Sequence, residues 1–198
     1  SDGQILAGDQ VTETQLQLLI GMGRDPVTGD ALGRPYSQFK TLDERVAARI
    51  AGLDPALSPA RRAEAVVRIE AEEAAKKNRK AVAGYAFTFS IPKSASVLWA
   101  VADAGTQTLI ADAHHAAVAE VVAFMEREVA ATRAGASGRD GAVAQVDVAG
   151  LIATAFDHYD SRAADPQLHT HVVVSNKVQG EDGRWRTLDS RRLHKAAV

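Results

Sequence analysis

The 198-residue sequence has no cysteine, so disulfides, thiolate metal ligands and cysteine nucleophiles are all excluded. Aromatic residues make up only 5% and prolines number six, while alanine is abundant. That composition suits long alanine-rich helices packed on a few strands. No apolar run approaches the roughly 18 residues of a membrane span, so membrane insertion is not expected. The first residues show neither the basic nor the apolar region of a secretion signal, which makes a cytoplasmic location the default expectation. An excess of positive charge is also lacking. The net charge is −2, so any contact with nucleic acid must rest on a local patch. With 46% hydrophobic and 24% charged residues, the composition is that of a globular chain of about one domain.

Residues 1–80 read as helices separated by breakers. Thr12 with Gln15 and Thr41 with Glu44 have capping-box spacing, and Ser58 before Pro59 is an N-cap and N1 pair. Between them, Gly21, Gly23, Pro26, Gly29, Gly33 and Pro35 make a loop. Lys76, Lys77, Arg79 and Lys80 close the third helix, where they either complement the helix dipole or meet phosphate. From residue 81 the pattern changes. Residues 84–91 alternate as a strand, with Phe87, Phe89 and Ile91 on one face and Ala86, Thr88 and Ser90 on the other. Pro92 stops it, residues 93–102 read as a helix, and a long helix is expected over 107–133. Residues 135–141 read as a loop, 151–159 and 168–178 as strands, and 181–183 as a hairpin turn leading to 184–187. Ser190 is the expected cap of a last helix. There is no internal repeat, low-complexity linker or heptad run. The predicted class is α+β, an antiparallel sheet with helices packed on one face.

The strongest chemical signal is His169-Thr170-His171 at the start of an apolar strand. Residues i and i+2 of a strand share a face, so the two imidazoles lie side by side, opposite Leu168, Thr170, Val172 and Val174. His158 stands near the end of the preceding strand, and antiparallel pairing would bring it to the same place. Three imidazoles can share a divalent ion and leave positions open for water or an oxyanion. Ligand type alone suits zinc, and also manganese, nickel or magnesium. His114, His115 and His194 are expected to be ordinary structural or surface residues. A second signal is residues 90–96 (SIPKSAS), where Ser90, Lys93 and Ser94 cluster at a helix start and form a candidate phosphate corner. Arg162, just beyond His158, would either clamp phosphate or pair with Asp160 or Asp165.

Residues 156–176 (FDHYDSRAADPQLHTHVVVSN) resemble the histidine-triad motif of the MobF conjugative relaxases. Residues 84–96 (GYAFTFSIPKSAS) are similar to a second block of that family. The likeness covers 81–198 closely and the N-terminal helices loosely. It implies an HUH-endonuclease palm over residues 81–198, with residues 1–80 as the N-terminal helical part of the relaxase domain. It also implies a DNA-nicking transesterase that cuts single-stranded DNA at an origin of transfer, using a tyrosine hydroxyl as nucleophile. His158, His169 and His171 would hold one divalent metal, magnesium or manganese by preference, with zinc or nickel as alternatives. Ser90, Lys93, Ser94, Arg162, Arg184 and Arg186 would contact DNA, and relaxosome and coupling proteins would be partners. The sequence departs from the family twice. Its tyrosines, Tyr36, Tyr85 and Tyr159, do not sit in the nucleophile motif, so the chain reads as a fragment, inactive by itself, without its nucleophile segment and later regions. Where the family usually carries an aspartate that takes the tyrosine proton or orients a histidine, this chain has Ala86.

Two other classes compete. An unrelated three-histidine hydrolase or oxygenase would share the metal chemistry, although a cupin would want a carboxylate that residues 172–177 do not supply. A non-catalytic DNA-binding module would share the DNA contacts without strand cleavage.

Overall fold

Antiparallel pairing on both sides of one strand organises the part of the chain that carries the histidines. The computed structural model describes residues 5–78, 80–135 and 144–196. The central strand is β5 (Pro166–Ser175), flanked by β1 (Gly84–Ser90) and β4 (Ala153–Asp160) in the order β1-β5-β4. Leu168, Thr170, Val172 and Val174 are buried on one face of β5, and His169, His171 and Val173 lie on the other, half-exposed. The β-branched run supplies what a central strand needs, a pleated surface covered by packing on one side. Gly84 opens β1 because a side chain there would meet the Val174 carbonyl at 2.6 Å.

The covered face packs on α4 (Lys93–Val101) and α5 (Ala104–Phe124), the latter continued by a π-helical turn, Met125–Val129. Val118, Met125, Val129, Val172, Val174, Val178, Leu188 and Leu193 form the core, with Phe87 and Phe89 packed against it. The α+β class and the faces of β1 are therefore as the sequence predicts. By length and composition α5 with its extension could cross a membrane, contrary to the expectation that no run would reach that length. Its alanines raise its hydropathy, yet it carries Asp112, Glu120 and two histidines, and of its residues His114 and Val118 are buried.

Three boundaries differ from expectation. The long helix begins at Ala104, capped by Asp103 accepting from Gly105 and Thr106 amides, and it ends by Val129 rather than 133. Residues Ala131–Ala134 form β2 instead, paired with β3 (Ala144–Asp147), which sequence reasoning missed. Alanine favours helix, but burial overrides propensity here: Ala131 and Thr132 are fully buried, and Thr132 donates to the Thr187 carbonyl at 2.7 Å. The strand expected over 168–178 breaks at Asn176, giving β5 and a separate β6 (Lys177–Gln179) that hairpins with β7 (Trp185–Thr187) through the expected turn. At Asn176 both the main-chain and the side-chain carbonyl accept from Leu188 N at 3.1 Å, which carries the β6–β7 register one pair further. The final helix α6 (Ser190–Ala196) is capped by Asp189, not Ser190: its carboxylate accepts from Arg191 N at 3.3 Å. The loop expected over 135–141 lies, from residue 136 on, outside the described residues.

The chain divides into two compact units, Ser1–Pro35 with Ala83–Val198, and Tyr36–Val82. In the first, α1 (Glu13–Leu16) starts at the Thr12–Gln15 capping box, continues as a π-helical turn and stops at left-handed Gly23. The second is an α2 (Leu42–Ala51) and α3 (Pro59–Ala74) pair with the caps expected at Thr41 and Ser58. Glu73 is 2% exposed between them and accepts from Arg45 and Arg49 at 3.0 Å and from Lys76 at 2.5 Å. Those cations, Lys76 foremost, hold its carboxyl down at about 2.

The face assignment can be tested by stability. Phe89→Ala should cost on the order of 2 kcal/mol, since a half-buried ring leaves the core. Ala86→Ser, on the open face, should stay within about 0.5 kcal/mol of the parent. Urea unfolding of both variants measures the contrast, and equal losses would mean the faces are reversed.

Candidate metal centre

A short turn puts His158 opposite His169. β4 leads into residues 161–165, where Ser161 N donates to the Asp165 carbonyl at 2.9 Å and Ala164 N to the Ser161 carbonyl at 2.9 Å. Ala164 takes the left-handed conformation, φ 60°, which costs an alanine about 1 kcal/mol. The turn returns the chain with His158 paired to His169 and Phe156 to His171. On the other side, β1 pairs Ser90 with His169 and Thr88 with His171.

The three imidazoles meet on the open face. Ring centroids are 5.2 Å apart for His158 and His169, 4.9 Å for His158 and His171, and 5.0 Å for His169 and His171. An ion about 2.1 Å from each ring nitrogen would separate such centroids by roughly 4.5–5.5 Å. His169 Nδ1 lies 2.9 Å from the Gln167 carbonyl, which can only accept, so Nδ1 carries the proton and Nε2 keeps a lone pair. His171 Nδ1 lies 3.0 Å from the Thr88 hydroxyl, an arrangement that also leaves Nε2 for a ligand role.

Spacing and donor set suit a cation, but ring orientation does not yet complete the site. A nitrogen lone pair lies in its ring plane, so an ion must lie in every plane it shares. His171 stands at 89° and 76° to the other rings, whereas His158 and His169 are stacked at 21°. Accordingly, among the described residues no three side chains are already set to hold a metal. His158 is the ring able to turn: it is exposed on β4, and no hydrogen bond holds it among the described residues.

Beneath the trio lies a polar network that sequence reasoning missed. Thr170 donates to Asp157 at 2.6 Å, His114 Nε2 meets the Thr170 hydroxyl at 2.8 Å, and His115 Nε2 meets Asp157 at 2.9 Å. As expected, His114 is a satisfied core residue and His115 a satisfied surface one, and their partners, Thr170 and Asp157, tie α5 to the strands that carry the open-face imidazoles. Across 42 and 56 positions no local pattern signals this. Thr88 was legible in principle, because it shares the open face of β1 and pairs with His171.

The remaining candidates scatter. Ser90 is exposed beside His169, and Ala86 is exposed opposite Val173. Ser94 is exposed in the first turn of α4. The Lys93 ammonium donates to the Asp165 carboxylate and, at 2.8 Å, to the Pro166 carbonyl. That ammonium, with the Ser161 hydroxyl, holds the Asp165 carboxyl below its usual range. Arg162 is exposed and forms no ion pair among the described residues. Arg184 and Arg186 belong to the β6–β7 hairpin rather than the histidine sheet, and Arg186 is paired through both nitrogens with Asp182.

Comparison with known proteins identifies the family. The family model described as TrwC relaxase matches residues 2–198. The multifunctional conjugation protein TraI of Escherichia coli is 40% identical over 112 residues, 57% of this chain and 6% of its own length. The conjugative relaxase TrwC, solved in a metal-bound complex with oriT DNA, is 25% identical with a TM-score of 0.62. That match covers 96% of this chain and 50% of the other. TrwC complexed with a 27-mer comprising the recognition hairpin and cleavage site is 32% identical, TM-score 0.53, over 77% of this chain and 54% of that one. The chain thus spans 6% of the curated relative and about half of the solved ones.

The network under the sheet predicts a pH dependence. Burial first, and then the neighbouring His115, lower the His114 pKa from its ordinary 6.5. The folded state therefore favours neutral His114, and the unfolded chain takes the proton first as pH falls. Stability from this source is complete above 6.5 and declines as pH drops below it. The melting temperature should fall from pH 7.5 to 5, and His114→Gln should flatten the decline. Parallel curves would show that His114 is not the titrating group.

Proposed function

On the premise that this chain belongs to the TrwC relaxase family, we infer that it is the metal-holding palm of a relaxase that nicks one DNA strand at an origin of transfer. The observation that carries this reading is the meeting of His158, His169 and His171 on the open face of the antiparallel sheet. The likeness to a metal-bound relaxase solved with oriT DNA supports it.

His158, His169 and His171 would hold a divalent cation through Nε2, with magnesium or manganese preferred on the family resemblance. Bound there, such an ion polarises the non-bridging oxygens of a scissile phosphodiester and offsets the charge built up as oxygen attacks phosphorus. The protein's own residues prepare that position. The Gln167 carbonyl and the Thr88 hydroxyl orient two of the rings, and the Asp157–Thr170–His114 network anchors the strands that carry them. Ser90 offers a hydroxyl beside His169, and Arg162 an uncommitted guanidinium just beyond His158. Lys93 reaches phosphate by exchanging Asp165, and a solvent-exposed pair of that kind is readily given up.

The attacking hydroxyl is assigned to neither tyrosine of the unit that holds the histidines. Tyr85 points into the core, edge-on to His194, and Tyr159 is stacked on Trp99. A tyrosine with its ordinary pKa near 10 also needs its proton removed. Ala86 offers no carboxylate for that at the position where the family carries one. Relaxosome and coupling partners, and a cytoplasmic setting, belong to the same reading.

The test is calorimetric titration with Mn²⁺, followed by incubation with an origin-of-transfer oligonucleotide. One ion per chain should bind, and His158→Ala, His169→Ala or His171→Ala should each weaken binding at least tenfold. The chain alone should leave the oligonucleotide uncut, while a longer chain with the family tyrosine should form a covalent adduct. In that longer chain Ala86→Asp should raise the rate by about 10²-fold, the low end of general-base effects. Absence of ion binding, or binding indifferent to all three substitutions, would overturn the reading.

A further inference from the structure

Next to the histidines on β4 stands an aromatic pair that the metal-centred chemistry leaves unused. Trp99 of α4 and Tyr159 of β4 are stacked at a centroid distance of 5.3 Å and an interplanar angle of 10°. That is an offset-stacked arrangement, in which the outer ring can offer its far face to a further ring. Here the stack ends at the surface, and Tyr159 remains 53% exposed. The sequence offers few such residues, with two tryptophans and three tyrosines in 198 positions. The pair's location also matters. Tyr159 follows His158 directly, about 3.8 Å away between Cα atoms. It lies near the end of β4, one of the two edge strands in the β1-β5-β4 order. Three residues further on is Arg162, exposed and without an ion pair among the described residues.

We propose that Trp99 and Tyr159 form a stacking platform for one unpaired DNA base, with Arg162 beside it to meet the adjoining phosphate. The proposal rests on the reading of this chain as a single-strand DNA-processing palm, and adds a site that holds a base rather than a phosphate. A strand passing over the outer edge of β4 can place a phosphate at His158 on the open face. The neighbouring base then reaches the rim, where the exposed Tyr159 ring continues the stack. Stacking on a ring face is indifferent to base identity and to salt, whereas the phosphate contacts weaken as salt rises. The platform therefore contributes where a chain of net charge −2 has little electrostatic attraction to offer.

Trp99 provides its own reporter once Trp185 is replaced by phenylalanine. The W185F chain is titrated at several salt concentrations with a fluorescein-free dT 12-mer and with an abasic 12-mer of the same phosphate count. The dT oligomer should quench Trp99 fluorescence and bind roughly tenfold tighter or more than the abasic one. Tyr159→Leu, which keeps apolar cover on Trp99 without a ring face, should remove that preference and leave abasic binding and the salt slope unchanged. Tyr159→Phe should preserve the preference, and its melting temperature controls for folding. Equal affinity of the parent for the two oligomers, or a preference that survives Tyr159→Leu, overturns the platform while leaving phosphate recognition intact. Failure of the parent to bind either oligomer overturns the single-strand DNA reading and the platform together.

Discussion

The two-residue alternation of β5, locked by pairing on both of its sides, is the constraint on which the rest of the structure depends. A one-residue slip against either neighbour would send His169 and His171 into the helices and Leu168, Thr170 and Val172 to solvent. Burial of that apolar set prevents the slip, so the same packing that stabilises the sheet also fixes where the imidazoles point. β1 and β4 then add residues to the open face by register alone: Thr88 and Ser90 from one side, His158 from the other. The site is thus a consequence of core packing, and the hydrogen bonds on the open face refine an orientation already chosen beneath it.

The polar network under β5 is costlier than an apolar contact would be and does something an apolar contact cannot. Thr170 is 1% exposed and His114 6%, so each must keep its partner or lose stability. Their mutual bonds, closed by Asp157 and His115, set the rotation and height of α5 against the strands. Valine at 170 would fill similar space but would let the helix slide, since dispersion has no preferred direction. The open-face imidazoles alternate along β4 and β5 with the residues of this network, so the network stiffens the backbone on which a ligand set depends. His158 contrasts with this arrangement. It sits on an edge strand without a hydrogen bond among the described residues, so its ring is the freest of the three to turn.

Much of this was legible in the sequence because it is written locally. His-x-His on a strand, the alternation of residues 84–91, the capping boxes at Thr12 and Thr41 and the turn at 181–183 each follow from spacing within a few residues. The histidine trio needed one further step, the antiparallel return between His158 and His169, and the short turn supplies it. What stayed hidden depends on the third dimension. Ala131–Ala134 reads as helix by propensity and is a strand because its small side chains fit under β7 and Leu188. Asn176, where β5 gives way to β6, is tied through main chain and side chain to Leu188, twelve positions away, and Asp189 takes the cap expected of Ser190 by geometry alone. His114 and His115 acquire partners only when α5 docks.

Charge placement explains why such a sheet would need an ion at all. β1, β4 and β5 contain neither lysine nor arginine, while β4 carries Asp157 and Asp160. A phosphodiester approaching the open face would meet no fixed positive charge on the strands themselves. Several cations elsewhere are committed to acidic partners, Arg186 to Asp182 and Lys93 to Asp165, with Arg45, Arg49 and Lys76 gathered on Glu73. Arg162 at the end of β4 is the exception close to the histidines. On the proposed reading, recognition of a polyanion on this surface would divide into three contributions of different character. An exchangeable cation held by the imidazoles would act at the reacting phosphate, a single guanidinium beside it, and the aromatic rim on the base. Such a division would weaken non-specific attraction along the whole strand, since little of it would depend on a broad positive field. It would concentrate affinity at the one phosphate where the proposed nicking chemistry takes place.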